Sequence, residues 1–240
     1  MRIRAVVRLH TRNPFGTYLF PFAIGGIAFA VILIVGLIAA ISTNDAEDLA
    51  AMNEGMRWNG AVWAILGPLI GVGVGAMTQY FPLSLGLGLT RREFLVGTSV
   101  VFLATAALYA IVITLLNWLE VATNGYGLHV RMFDVVWVGM DSPWRTLVQT
   151  FLLLCAFLFL GAASATVVKR FGQLVLWLVI GVGVLAVVIG SSAVTLAGSW
   201  PEVAAWVVDA QWGLWMSLLA LLALVGAAAW VLLVRRAPVR

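Results

Sequence analysis

Six long apolar runs without ionisable side chains constrain this sequence more than any other feature. They cover roughly residues 17–42, 59–79, 95–118, 146–168, 172–195 and 211–234, and none contains Asp, Glu, Lys, Arg or His. A helix of about 20 apolar residues crosses the hydrocarbon core of a bilayer. Only 10% of the chain is charged, against about a quarter in soluble domains. The sequence therefore predicts an all-α polytopic membrane protein, with six transmembrane helices in a single domain spanning 1–240.

The charged residues indicate the orientation of these spans. If the N-terminus is cytoplasmic, 11 of the 14 basic residues lie inside and only Arg57, Arg131 and Arg145 lie outside. Of the 10 acidic residues, only Glu93 lies inside. Basic residues in short loops favour the cytoplasmic side. We therefore expect both termini in the cytoplasm, and we assign the net positive charge to topology and not to a nucleic-acid surface.

The N-terminal residues 1–14 have an amphipathic pattern. Arg4, Arg8 and Arg12 recur at every fourth position, while apolar side chains and His10 share much of the opposite face. Residues at this spacing lie on one face of a helix. The pattern predicts an interfacial helix in contact with membrane lipids.

Two segments on the expected outer side differ in character. Residues 119–145 are polar and long enough to be a partly structured outer loop. Residues 196–210 are too apolar for a solvated loop and too short to cross, which favours shallow or re-entrant helices before the sixth span. Five tryptophans near these outer boundaries are interpreted as membrane-interface anchors: Trp58, Trp118, Trp144, Trp200 and Trp212.

Three glycines of the second run are evenly spaced. Gly67, Gly71 and Gly75 recur at every fourth position, so one face of that helix lacks side chains. Such a face lets another helix approach closely. The sequence leaves open whether that helix belongs to this chain or to a second subunit.

Between the second and third runs stands FPLSLGLGLTRREFLVGT, residues 81–98. Thr90 and Glu93 have the spacing of a capping box, which predicts that the third helix begins at Arg91. Arg91 and Arg92 then carry the wrong sign for the first turn of a helix. Either membrane topology or a partner surface can account for them.

The apolar half of this stretch predicts a short helix at residues 80–90. Pro82 suits its first turn, and four leucines follow at alternate positions (Leu83, Leu85, Leu87 and Leu89). A connection without a partner is normally polar. These leucines therefore favour contact with another protein, with insertion into the lipid interface as the alternative.

Residues 81–98, together with the closing VLLVRRAPVR, resemble membrane subunits of ATP-binding-cassette transporters of the type-2 exporter family (type V fold). The likeness is greatest to small six-span permeases of actinobacteria. In that family an N-terminal connector helix precedes the first span, a coupling helix joins the second and third spans, and a re-entrant element precedes the last. The resemblance covers the order of features along the chain, although residues 119–145 have no counterpart that can be aligned.

The resemblance implies a docking surface for a separate ATPase subunit. Its residues would be Phe81, Pro82, Leu83, Leu85, Leu87, Leu89, Thr90, Arg91, Arg92 and Glu93. It also implies a second permease subunit, identical or related, and residence in a bacterial plasma membrane. ATP and Mg²⁺ would bind the partner subunit, and this chain would export a lipid-like, amphipathic or drug-like cargo.

The residues themselves argue against an energy source within the chain. The only lysine, Lys169, lies in VVKRF and not in a glycine-rich phosphate loop. Proton-driven transporters normally keep an ionisable residue inside their spans. Ion coupling through carbonyl and hydroxyl oxygens is a less favoured alternative.

Two other classes of function are alternatives for this sequence. A membrane enzyme would have to use residues such as His129, Asp134, Asp141, Ser191 or Ser192, which lack the spacing of a metal site or an activating histidine. We expect no catalytic, cofactor-binding or metal-binding residue in the chain. A non-transporting membrane scaffold or assembly subunit is the main alternative to a permease.

Overall fold

A computed structural model describes residues 2–42, 46–138 and 142–237. Within these residues the fold is all-α, without strands, because helices satisfy every backbone group inside an apolar segment. Helices α1 to α10 are Arg2–Arg12, Phe20–Ser42, Ala46–Met56, Leu66–Gly75, Phe81–Gly86, Arg91–Ala122, Pro143–Phe171, Gln173–Ala197, Trp200–Asp209 and Trp212–Val234.

The prediction of six membrane-spanning helices is confirmed. The segments long and apolar enough to cross a bilayer are Phe15–Ser42, Ala50–Gly86, Arg91–Ala122, Pro143–Phe171, Gln173–Ala197 and Trp212–Val234. The outer loop predicted at 119–145 is shorter than expected, because 119–122 belong to α6 and 143–145 to α7. The described part of this connection is 123–138 and 142.

The second span is one nearly continuous helical rod with changes of pitch. A 3-10 turn at Ala61–Ile65 leads into α4, and a π-helical turn at Ala76–Tyr80 leads directly into α5. The short helix predicted at 80–90 is α5, which continues the second span without a break. It closes with a turn in which Gly88 adopts a φ of +77°, a conformation that favours glycine.

Helix α7 lies at the centre of the bundle, where it packs against α4, α6 and α10. The closest approach joins α4 and α7 at two glycines. A Cβ on Gly73 would lie 2.3 Å from the carbonyl oxygen of Leu158, and one on Gly161 would lie 2.4 Å from that of Ile70. No larger residue fits this crossing without separating the backbones.

The evenly spaced glycines of α4 are not at that crossing. A Cβ on Gly67, Gly71 or Gly75 would meet no described atom within 4 Å. Packing within the described part of the chain, one of the two explanations for this glycine face, therefore does not account for it.

An aromatic cluster fixes one end of the bundle. The ring of Trp230 on α10 lies 6.2 Å from Phe94, 5.8 Å from Phe102 and 5.8 Å from Phe159, measured between centroids. Its indole Nε1 donates to the Met77 sulfur at 3.1 Å. The cluster therefore joins the second, third, fourth and sixth spans.

Helix α8 is nearly detached from this core. It contains no buried residue, and its main packing partner is α7. Its exposed side chains are predominantly large and apolar. A surface of this kind is stable in contact with lipid or a second subunit.

The opposite end of the bundle is closed by residues 123–138. Both carboxylate oxygens of Glu120, which is buried at the end of α6, accept hydrogen bonds from the backbone N–H groups of Met132 and Phe133. Asp134 N–H also donates to Glu120, at 2.8 Å. The Arg131 guanidinium donates to Asn53 Oδ1 at 3.0 Å and to Asp134 Oδ2 at 2.8 Å. The segment predicted to be partly structured is thus held by a buried carboxylate.

Candidate docking surface at the basic end

Several basic segments that are distant in sequence meet at one end of the bundle, which we call the basic end. It contains α1, residues 81–90, the start of α6, and the last turns of α7 and α10. Arg91 reaches the end of α10, and the Lys169 ammonium at the end of α7 lies 5.8 Å from the centre of the Phe81 ring. The fold therefore assembles the sequence-predicted site residues around one surface.

Helix α1 is docked on the protein by its apolar face. Val6 is buried against Gly97 of α6, where a Cβ would lie 2.6 Å from the Val6 Cβ. A larger residue at Gly97 would push α1 away from α6. The helix predicted for residues 1–14 thus spans Arg2–Arg12 and is part of the packed bundle.

His10 joins α1 to three neighbouring segments. Its Nε2 lies 3.1 Å from the Thr98 hydroxyl, its ring lies 4.3 Å from the Tyr80 ring, and its carbonyl accepts from the Thr17 hydroxyl at 3.2 Å. The side chain is 0% exposed, and desolvation lowers the pKa of His10 to about 4. The imidazole is therefore neutral at physiological pH.

The residues predicted to form a docking surface divide into two faces. Phe81 and Ser84 are fully buried; Phe81 lies 5.1 Å from Phe94, and the Ser84 hydroxyl donates to the Phe81 carbonyl at 2.8 Å. Leu83 and Leu87 are 49% and 62% exposed. Pro82, Leu85 and Leu89 are half-buried. Phe81 was expected to be exposed on the docking surface, and the structure places it in the core instead.

The capping box at the start of α6 is confirmed. The Thr90 hydroxyl accepts from Glu93 N–H at 3.2 Å, and Glu93 Oε2 accepts from Thr90 N–H at 2.7 Å. Glu93 also forms an ion pair with Arg2, with 3.9 Å between Nε and Oε1. Thr90 and Glu93 therefore stabilise the helix start, whether or not a partner binds.

Arg91 has a role within the chain that its sequence context does not reveal. Its Nη1 donates to the carbonyl oxygens of Val234 and Arg235, both at 2.8 Å. A cation is favourable at the C-terminus of a helix, where carbonyl groups lack partners. Arg91 is thus unfavourable for the dipole of its own helix and favourable for that of α10. Arg92 is exposed.

Leu83, Leu87 and Arg92 are exposed members of the predicted surface, and we call these three residues the docking face. Beside the docking face lies a groove lined by Arg4, Arg8, Arg12, Leu9, Leu87 and Leu89. In the sequence, the arginines of α1 and the leucines after α5 are separate features with no visible relation. The structure brings them together on one surface that is both apolar and positively charged.

The residues considered for an enzyme show ordinary structural roles or lie apart. His129 is exposed in the 123–138 segment, and Asp134 pairs with Arg131. The Ser191 hydroxyl donates to the Val188 carbonyl of its own helix at 3.0 Å, and Ser192 is exposed. Asp141 lies outside the described residues. Among the described residues, no three His, Cys, Asp or Glu side chains are grouped so as to hold a metal ion.

Sequence reasoning missed the buried members of this end. Nothing in the local pattern distinguished His10 from a polar residue at an interface, and Gly97 lies in no regular glycine spacing. The one available signal was Phe81, an aromatic residue directly before Pro82 at the end of an apolar run.

Comparisons of this chain with protein-family models, with curated proteins and with solved structures found no match.

Proposed function

We propose that this chain is the membrane subunit of an ATP-binding-cassette transporter, which exports a lipid-like, amphipathic or drug-like cargo with energy from a separate ATPase subunit. It would reside in a bacterial plasma membrane with the basic end in the cytoplasm. The proposal follows the resemblance of residues 81–98 and the closing segment, and it requires a surface on which an ATPase can dock. The docking face is the candidate for that surface.

One observation carries the proposal: the two faces of the segment 81–87 have opposite surroundings. Leu83 and Leu87 are exposed, while Phe81 on the same segment is buried against Phe94. Phe94 in turn contacts Trp230 at 6.2 Å between ring centres. A packed core transmits displacement because it has few voids to absorb it. A partner that moved the docking face would therefore move the aromatic cluster, and with it four spans.

The distribution of ionisable groups supports an external source of energy. The candidate spans carry ionisable residues near their ends, and the buried carboxylate among them, Glu120, accepts hydrogen bonds from Met132, Phe133 and Asp134. A carboxylate whose two oxygens accept several backbone N–H groups is fixed in place by those hydrogen bonds. We assign Glu120 to holding the 123–138 segment and not to a proton relay.

The exposed faces of α4 and α8 support a second permease subunit. Neither Gly67, Gly71 and Gly75 nor any residue of α8 is buried in the single chain. Association in membranes favours faces of small residues, since these allow close packing. The glycine face of α4 is our candidate seam for this dimer.

The test uses the full chain co-expressed with an ATPase encoded beside it. Leu83→Ser with Leu87→Ser is expected to reduce the amount of ATPase that co-purifies, because docking would lose its exposed apolar contacts. Leu196→Ser is the matched control, since Leu196 is 90% exposed at the far end of α8, remote along that helix from the end that adjoins α7. Equal retention of the ATPase by both variants would contradict the proposed surface.

A second readout separates a permease from a non-transporting scaffold. Reconstituted complexes of a permease should hydrolyse ATP faster when a transported amphiphile is added, and Arg92→Glu should reduce this stimulation. A scaffold would bind the ATPase without any such dependence on added amphiphile. Stable binding with a hydrolysis rate that no amphiphile changes would favour the scaffold.

A further inference from the structure

The groove at the basic end has an unusual combination of walls. One wall is α1, which contributes Arg4, Arg8 and Arg12; the other is the turn after α5, which contributes Leu87 and Leu89. The groove encloses about 460 Å³ and is open to the surface. We call it the arginine groove.

The orientation of α1 is fixed by contacts on its other face. Val6 and His10 are buried against α6, which leaves Arg4, Arg8 and Arg12 exposed. At 1.5 Å per residue the three arginines extend over about 12 Å of the helix. Docking of α1 therefore holds three guanidinium groups in a row along one wall.

Their charge is not compensated by the surrounding residues. Among the residues that the structure describes, no Asp or Glu lines the arginine groove. Within residues 2–42, 46–138 and 142–237, neither Arg4, Arg8 nor Arg12 forms an ion pair, whereas Arg2 on the same helix pairs with Glu93 at 3.9 Å. Like charges at i,i+4 positions destabilise a helix. An anion held between them would remove that repulsion.

We propose that the arginine groove binds an anionic phospholipid, with the headgroup phosphate on the arginines and the start of an acyl chain along Leu87 and Leu89. Guanidinium groups match phosphate oxygens with paired hydrogen bonds. Leucines beside them suit a ligand that is charged at one end and apolar at the other. The groove adjoins the ends of membrane spans, where basic residues attract anionic lipids.

A lipid fits these walls better than an acidic protein segment does. A carboxylate-rich peptide would satisfy the arginines but would place polar backbone against Leu87 and Leu89. The lipid site does not depend on the proposed transport function, since it requires only α1, the turn after α5 and a bilayer, although Leu87 belongs both to the arginine groove and to the docking face. It gives the docked N-terminal helix a ligand that anchors it at the membrane surface.

The experiment measures lipid retained by the purified full chain. The protein is titrated in detergent with phosphatidylglycerol or phosphatidylcholine, and native mass spectrometry counts the bound lipids. The unaltered chain should retain phosphatidylglycerol in preference to phosphatidylcholine. Arg4→Gln, Arg8→Gln and Arg12→Gln together should lower the apparent affinity for phosphatidylglycerol by about tenfold or more, since each lost charged contact matters on that scale.

The matched control removes three other charges from the same end of the molecule. Arg170→Gln, Arg235→Gln and Arg236→Gln together should leave the affinity within about twofold, because these residues lie outside the groove. Thermal unfolding of each variant verifies that α1 stays docked, and the single change Arg8→Gln serves if the triple variant does not fold. Equal weakening by both triple variants, or no preference for phosphatidylglycerol, would overturn the proposal. Unchanged lipid binding with loss of a co-purifying protein would assign the groove to that protein instead.

Discussion

The guanidinium of Arg91 lies 2.8 Å from the carbonyl oxygen of Val234, so the first residue of the third span caps the last turn of the sixth. The two residues are 143 positions apart. The two neighbouring arginines therefore differ in role, because Arg91 contacts α10 and Arg92 is exposed. Charge reversal at both positions would mix a structural effect at Arg91 with any docking effect at Arg92, so the two residues have to be tested one at a time.

Arg91→Gln should destabilise the chain by about 1–2 kcal/mol, because two carbonyl groups lose a charged donor. The change is measured as a lower midpoint of thermal unfolding in detergent. Arg92→Gln is the control, and as an exposed substitution it should alter stability by less than about 0.5 kcal/mol. Equal effects of the two substitutions would show that the contact with α10 contributes nothing.

Gly161→Ala should disrupt the crossing of α4 and α7. The added methyl group would lie 2.4 Å from the Ile70 carbonyl oxygen, which is backbone and cannot rotate away. Overpacking of this kind costs about 1–3 kcal/mol. The control is Gly71→Ala, which meets no described atom within 4 Å and should be neutral or slightly stabilising. A stable Gly161→Ala variant would contradict the close approach of these helices.

The face that contains Gly71 should matter for assembly and not for folding. Gly71→Leu is expected to leave the unfolding midpoint of the monomer unchanged and to reduce the dimer fraction in cross-linking of native membranes. Gly213→Leu on α10, where a Cβ also meets no described atom within 4 Å, is the matched control. If Gly71→Leu leaves the dimer fraction unchanged, the contact between subunits lies on another surface.

Glu120→Ala should loosen the segment 123–138. The buried N–H groups of Met132, Phe133 and Asp134 would lose their acceptor, and each unsatisfied buried group costs about 1–3 kcal/mol. Hydrogen exchange at these three amides should accelerate. Glu54→Ala, which removes an exposed ion pair with Arg57, should leave their exchange unchanged. Slow exchange in Glu120→Ala would mean that another group holds the segment.

Docking of α1 should weaken in acid. Burial lowers the pKa of His10 to about 4, while an unfolded histidine titrates near 6.5. Between about pH 6.5 and pH 4 the unfolded or undocked state binds more protons than the docked one, so stability falls as the pH is lowered. The contribution is complete above about pH 6.5 and is lost by about pH 4, on the order of 3 kcal/mol.

The measurement is hydrogen exchange of α1 at pH 7 and pH 5, corrected for the intrinsic exchange rate. His10→Gln should remove the extra opening at pH 5, and His129→Gln in the 123–138 segment should retain it. Persistence of the acid-induced opening in His10→Gln would assign the effect to another group.

The sequence predicted what depends on local pattern. The six spans follow from apolar runs, and the start of α6 follows from the Thr90-Glu93 capping box, whose hydrogen bonds lie within one turn. What it did not predict depends on partners distant in the chain. Even spacing singled out Gly67, Gly71 and Gly75, but the spacing of one helix does not reveal which face meets a neighbour, and α4 meets α7 at Gly73.

The docking face shows the same limit. Composition correctly identified the run 81–89 as unusual for a connection. It could not separate Phe81 from Leu83, since both are apolar and only the position of Phe94 and Trp230 decides which one is buried. Likewise, the pattern showed an arginine stripe on α1 and a run of leucines after α5, but not that the two form one groove.

The π-helical turn at Ala76–Tyr80 sets the angular phase of everything between it and α6. Each residue of an α-helix advances the next by about 100°, so one residue inserted here would place Leu83 at the buried position of Ser84 and Phe81 at the half-buried position of Pro82. The chain would then expose a different set of side chains, although no residue of the segment 81–89 had been substituted. The number of residues in this single turn therefore decides which side chains of the segment can face a partner.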